Sequence, residues 1–161
     1  MRIGSGFDVH AFDDSRPLII GGVTIPDSPG LAGHSDADVL CHAIADAVLG
    51  AARLGDLGSL FPNDPRWENA SSLMLLEATV RAARDAGWLV TNVDSTVVAE
   101  RPPLSPHKPQ MIANVASAMG IDQTAVSVKA TTTDGLGFTG RREGIAAFAS
   151  VLLDAVVGET P

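Results

Sequence analysis

H-S-D-A-D-V-L-C-H-A-I-A-D, residues 34–46, joins a helix start to a row of chemically active side chains. Ser35 has the character of an N-cap, and Asp38 three residues on completes an S-x-x-D capping pattern. Leu40, Ile44, Ala47, Val48 and Ala51 then fall on one face at helical spacing. Asp38, His42 and Asp46, at i, i+4 and i+8, fall on another. Surface helices ordinarily fill such a face with Lys and Glu. His34 stands just before the helix, where free N–H groups and the positive end of the dipole favour an anion. The plain alternative is a capped amphipathic helix whose histidine is a satisfied polar group.

Working outward, the N-terminal residues 2–10, R-I-G-S-G-F-D-V-H, alternate. Ile3, Phe7 and Val9 point one way; Gly4, Gly6, Asp8 and His10 point the other, so a strand is predicted. The two glycines mark a place where something approaches the strand closely. Asp8 and His10 with His42 make one carboxylate and two imidazoles, the pattern of a catalytic zinc site with a fourth position open. Cys41 lies about 100° around the helix from His42 and reads as a buried structural thiol.

The 161 residues suit one domain, 1–161, with 45% apolar and 19% charged residues. A net charge of −8 argues against a nucleic-acid polymer or an anionic membrane as partner. It leaves room for a small phosphorylated ligand, since a metal can supply positive charge locally. One cysteine excludes an internal disulfide. No signal-peptide pattern or membrane-length apolar run is present, and the expectation is a cytoplasmic protein.

Further along, Leu18–Ile20 and Val23–Ile25, split by Gly21-Gly22, predict a small hairpin. Residues 26–33 and 55–65 read as loops, the latter carrying Asp56 and Asp64. Helices are predicted over 70–87 and about 106–119, with Gly87 and Gly120 as stops. Strands are predicted over 90–99 and 125–131. The G-L-G-F-T-G of residues 135–140 matches a dinucleotide fingerprint, but the remaining chain has no room for the helix and strand that motif requires. Residues 143–157 allow a buried helix or a buried strand, and periodicity alone does not choose.

Taken together, G-F-D-V-H, I-I-G-G-V, H-S-D-A-D-V, G-D-L-G, L-F-P, N-V-D, P-H-K-P-Q-M, V-K-A-T-T-T and G-F-T-G-R occur in order along the whole chain. In these segments the sequence resembles the 2-C-methyl-D-erythritol 2,4-cyclodiphosphate synthases, the cyclising enzymes of the non-mevalonate isoprenoid pathway. The resemblance implies an α/β (α+β) subunit with a four-stranded mixed sheet and helices on one face. It implies a homotrimer around a central hydrophobic channel, with active sites between subunits, and makes residues 143–157 a long strand.

By the same resemblance, Asp8, His10 and His42 hold zinc or another divalent transition metal. Asp134 matches the position for a second metal, magnesium or manganese. His34 and Thr132 match the transition-state stabilisers. Ser35, Asp56, Leu57 and Gly58, with Phe61 and Asp64 in the segment 61–64, match the erythritol-binding part. Ala99, Pro102 and Leu104 within 99–105, with Thr131 and Thr133, match the cytidine-diphosphate pocket. Phe138, Arg141 and Glu143 match the trimer axis, where a phosphate or isoprenoid diphosphate sits. The implied reaction is attack of the substrate's 2-phosphate on its β-phosphorus with loss of CMP, which needs no Ser or Cys nucleophile. Two other functions use the same residues: a zinc phosphohydrolase with Asp46 or Asp38 as base, and a non-catalytic trimeric isoprenoid-binding protein.

Overall fold

The computed structural model describes residues 1–62 and 64–156. Strand β1 (Arg2–Ile20) and strand β2 (Val23–Leu31) precede helix α1 (Val39–Ala52) and the single turn α2 (Leu57–Leu60). Helix α3 (Ser72–Asp85), strand β3 (Trp88–Val98), helix α4 (Lys108–Met119) and strand β4 (Val126–Thr131) follow. The short α5 (Gly137–Gly140) leads into strand β5 (Gly144–Ala155). The strands form one sheet in the order β2-β1-β5-β3-β4. β3 and β4 are parallel and the other neighbours antiparallel, so the sheet is mixed.

Five strands replace the four expected. The difference lies in β1, which is long enough to serve two ladders. Its first half pairs with β5, from Arg2 opposite Leu153 to Ala11 opposite Gly144. Its second half pairs with β2, from Phe12 opposite Leu31 to Ile20 opposite Val23. The predicted hairpin is the tip of that second ladder. Gly21 and Gly22 both have positive φ, 58° and 68°, as a two-residue type I′ turn requires. Residues 26–31, expected as loop, extend β2 across two prolines and register shifts.

The helix cover lies on one face. α1 crosses β1, β5 and β3, α3 packs on β3, and α4 packs on β4. The glycines of β1 let α1 descend onto the strand. A Cβ on Gly4 would stand 1.9 Å from the Ala47 carbonyl oxygen, and one on Gly6 2.0 Å from that of Ala43. Neighbouring strand β5 is equally shallow there, with Ala149 opposite Gly6 and Ala147 opposite Asp8. Leu40, Ile44, Val48, Ile145 and Leu153 fill the core between helix and sheet, each side chain contributing about 1.5–3 kcal/mol by burial.

β1 therefore buries its small and polar side, and its apolar side faces out. Ile3, Phe7 and Phe148 of β5 are 77, 48 and 52% exposed. β5 is apolar on both sides, with Ile145, Ala147 and Leu153 inward and Phe148 outward, which is why periodicity does not choose between helix and strand for residues 143–157. Gly144–Ala155 is a strand, in agreement with the resemblance; residue 157 lies outside the described residues. The G-L-G-F-T-G segment makes only the four-residue α5 before β5, so no βαβ unit forms. Cys41 is buried, as expected of a structural thiol, and burial pushes its pKa up. Among the described residues no helix is long and apolar enough to cross a membrane.

Candidate metal centre

Asp8, His10 and His42 converge where β1 passes beneath the start of α1. Asp8 Oδ2 is 2.9 Å from His10 Nε2 and 3.0 Å from His42 Nδ1, and the two nitrogens are 3.1 Å apart. In a tetrahedral site with bonds of about 2.0 Å, ligand atoms stand about 3.3 Å from one another. The observed triangle is a slightly tightened version of one face of that tetrahedron. His10 Nδ1 lies 2.6 Å from the Ala32 carbonyl, which only accepts, so Nδ1 carries the proton and Nε2 offers its lone pair to the centre. A carboxylate oxygen and an imidazole lone pair aimed at one point call for a cation. The donor set fits a divalent metal.

The electrostatics agree. Burial opposes a charged Asp8, but hydrogen bonds and charge from His10 and His42 outweigh it and hold the carboxyl well below the usual carboxylate range. Burial also opposes a charged His10, yet Asp8 overcomes it and raises that imidazole. The centre attracts positive charge.

The Asp38, His42 and Asp46 row divides its labour. Asp38, not Ser35, is the N-cap: its Oδ1 accepts from the Leu40 and Cys41 N–H groups at 3.1 Å each. Its Oδ2 accepts from Gly22 N–H at 2.7 Å, tying the hairpin turn to α1. Asp46 accepts from Leu57 N–H at 2.7 Å and so anchors α2 beside the site. Burial pushes Asp46 up, against that bond. Ser35, released from capping, places Oγ 3.0 Å from His42 Nε2.

Two cavities receive the other predicted residues. The first, about 190 Å³, is lined by His10, His34, Ser35, His42, Leu57, Gly58 and Phe61. His34 donates its Nε2–H to the Asp64 carbonyl at 2.8 Å. Asp64 also caps the following 3₁₀ turn through Arg66 N–H, and Asp56 caps α2 through Ser59 N–H. Asn63, inside the predicted 61–64 segment, lies outside the described residues.

The second cavity, about 210 Å³, is bounded by residues 99–105 and 130–132, and so holds Ala99, Pro102, Leu104, Thr131 and Thr132. Thr133 and Asp134 follow in the adjoining loop, where Thr132 Oγ1 donates to Asp134 Oδ1 at 3.3 Å. Phe138 and Arg141 stand exposed beyond it, Arg141 paired with Glu143 at 2.8 Å. Within one chain the cavities are apart. His10 on β1 and Thr131 on β4 sit in one row, through Ile145–Ala146 and Val98, with two strands between. Three interstrand steps amount to roughly 14 Å.

Other participants carry no motif in the sequence. Trp67 closes the first cavity and meets Phe61 edge-on, ring centroids 5.0 Å apart. Glu100 accepts from Thr133 N–H at 2.9 Å and Gly135 N–H at 3.2 Å, shaping the loop that carries Asp134. Ser72 reaches His42 from the start of α3. A serine pair at a helix start signals capping, which gives no hint of that contact.

Comparison with known proteins places this architecture. The model of the YgbB family matches residues 1–154. A 2-C-methyl-D-erythritol 2,4-cyclodiphosphate synthase from Salinibacter ruber is 55% identical over 96% of this chain and 99% of its own length. Among solved structures, the bifunctional IspDF from Campylobacter jejuni is 44% identical with a TM-score of 0.92; the match covers 96% of this chain and 42% of that longer one. The IspF of Plasmodium falciparum, solved as a CDP complex, is 33% identical with a TM-score of 0.82 over 96% of each chain. With agreement of this extent in both sequence and fold, the chain belongs to the YgbB family, that of the 2-C-methyl-D-erythritol 2,4-cyclodiphosphate synthases.

Proposed function

We propose that this chain converts 4-diphosphocytidyl-2-C-methyl-D-erythritol 2-phosphate to 2-C-methyl-D-erythritol 2,4-cyclodiphosphate and CMP. The observation that carries the reading is the convergence of Asp8, His10 and His42 beside the His34–Ser35 cavity, in a member of this family. The new bond joins a 2-phosphate oxygen to the β-phosphorus. The bond that breaks joins that phosphorus to the bridging oxygen, which leaves with CMP. Divalent cations, zinc or a similar transition metal at the triad and magnesium or manganese beside Asp134, supply charge that offsets repulsion between the phosphates.

The chain's own work is to fold and orient the substrate. Leu57, Gly58, Phe61 and Ser35 enclose the erythritol phosphate, with Asp56 and Asp64 setting the shape of that wall. Ala99, Pro102, Leu104, Thr131 and Thr133 take the nucleotide, and His34 and Thr132 steady the charge that develops during displacement. Holding nucleophile and phosphorus in near-attack geometry supplies about 7–11 kcal/mol of the barrier.

A homotrimer accounts for two further observations. The exposed apolar face of β1 and β5 would line the channel between copies. Cavities separated in one chain would meet across a subunit boundary. Phe138, Arg141 and Glu143 would then surround the axis, open to a phosphate or an isoprenoid diphosphate.

The test is incubation with the named substrate in ¹⁸O-labelled water, followed by phosphorus NMR. The cyclase gives a cyclic diphosphate and CMP without the label. An open-chain phosphorylated product carrying ¹⁸O would establish the hydrolase instead, and unchanged substrate the binding protein. Of the two bases a hydrolase would use, Asp38 is fully buried with both oxygens engaged in capping and at Gly22, which leaves only Asp46, whose Oδ1 accepts from Leu57.

A further inference from the structure

His42 has two possible tautomers, and its surroundings select one. Its Nε2 lies 3.0 Å from Ser35 Oγ and 2.9 Å from Ser72 Oγ. A serine hydroxyl donates or accepts, so contact alone does not place the proton. Ser72 is constrained from its other side. Its O–H is given to Asp36 Oδ1, and its backbone N–H to Asp36 Oδ2 at 2.9 Å. A carboxylate only accepts, which commits the Ser72 proton to Asp36. Ser72 Oγ can then meet His42 Nε2, 2.9 Å away, only as an acceptor, which favours the imidazole's proton on Nε2 and its lone pair on Nδ1; Ser35 Oγ, the other group near Ser72 Oγ, is farther at 3.5 Å. Ser35 places no such demand, because its oxygen accepts from Ala37 N–H at 3.2 Å and its proton is free to turn.

The alternative tautomer is a real competitor. With its proton on Nδ1, His42 would donate to Asp8 Oδ2, 3.0 Å away, and close the triad against a metal. Ser72 is 1% exposed and His42 8%, so bulk water does not level the difference between the two.

We propose that Asp36 and Ser72 are positioning residues for the metal centre: Asp36, which does not itself touch the imidazole, acts through Ser72 to keep Nδ1 of His42 open to a cation. The proposal rests on the metal reading of Asp8, His10 and His42. It also joins the first residue of α3 to a ligand carried by α1, so metal uptake and the seating of α3 are linked.

The experiment titrates metal-stripped protein with Co²⁺ against a competing chelator and records the visible Co²⁺ spectrum. Apo thermal melts run alongside separate folding from ligation. Ser72→Ala and Asp36→Ala should each lose about 10–100-fold in Co²⁺ affinity. Ser72→Thr keeps the hydroxyl and should keep wild-type affinity and spectrum. Wild-type affinity in both Ser72→Ala and Asp36→Ala overturns the relay. So does an equal loss in Ser72→Ala and Ser72→Thr, which would assign the effect to packing. Failure of the metal reading is recognised separately: His42→Ala and wild type would then take up Co²⁺ alike.

Discussion

Asp134 has a φ of 54°, in the left-handed region that Asn and Asp enter more readily than other side chains. Asp134→Asn should therefore keep the turn and remove only the charge. If Asp134 faces the second metal, the substitution lowers the rate, leaves metal at the triad intact, and is partly relieved by more magnesium or by manganese. Activity of both proteins across a magnesium titration decides it; superimposed curves would make Asp134 a turn residue only. At this scale the sequence was informative where one regular element set the geometry. Period two puts Asp8 and His10 on one side of a strand, and helical spacing puts His42 on a face. It was silent where partners come from remote segments. Asp36 and Ser72 are separated by 36 positions and meet only because α3 starts beside the loop before α1. Ser35 shows the converse: a good local capping pattern lost to Asp38, whose two oxygens serve both the helix and the hairpin turn.

At the scale of elements, the seat of α1 on β1 depends on two missing side chains. The atom that a Cβ on Gly6 would strike is backbone, the Ala43 carbonyl oxygen, and cannot swing aside. Gly6→Ala should destabilise by about 1–3 kcal/mol, as overpacked cores do. It should also weaken metal binding, because lifting α1 carries His42 away from Asp8 and His10. Denaturant unfolding and Co²⁺ titration check both; unchanged values would mean that the helix is not seated by this contact. The close approach was legible in G-S-G beside D-V-H, although the visitor was not. Nor was the orientation of β1 legible, since Ile3, Phe7 and Val9 have the character of a buried face and are instead the exposed one. The strand identity of residues 144–155 escaped periodicity for the same reason: both of its sides are apolar.

At the scale of the whole molecule, the rings of Phe7 and Phe148 meet at a tilt of 43° on the face away from the helices, centroids 4.7 Å apart. If the proposed trimer forms through this face, Phe7→Asp should disperse it into subunits while each keeps its fold. Sedimentation velocity at micromolar concentration reads this directly, and a wild type that is monomeric with full activity would end the trimer reading. One chain cannot display such a partner in its own pattern, which is why the resemblance and not periodicity raised it. The strand order carries another consequence, for how the protein is made. Among the described residues β1 is the first strand synthesised and β5 the last, yet they are sheet neighbours, with Asp8 opposite Ala147. At about 5–20 residues per second, translation separates those two residues by on the order of ten seconds. During that interval Asp8 and His10, two of the proposed metal ligands, lie on the half of β1 whose ladder partner is β5, and that partner is not yet made, although the residues of α1 and β2 are. A nascent chain arrested before Gly144 should thus be protease-sensitive and take up no Co²⁺. A chain extended beyond Ala155 and released should gain both protection and uptake, so the centre becomes competent for a metal only once β5 has taken its place beside β1.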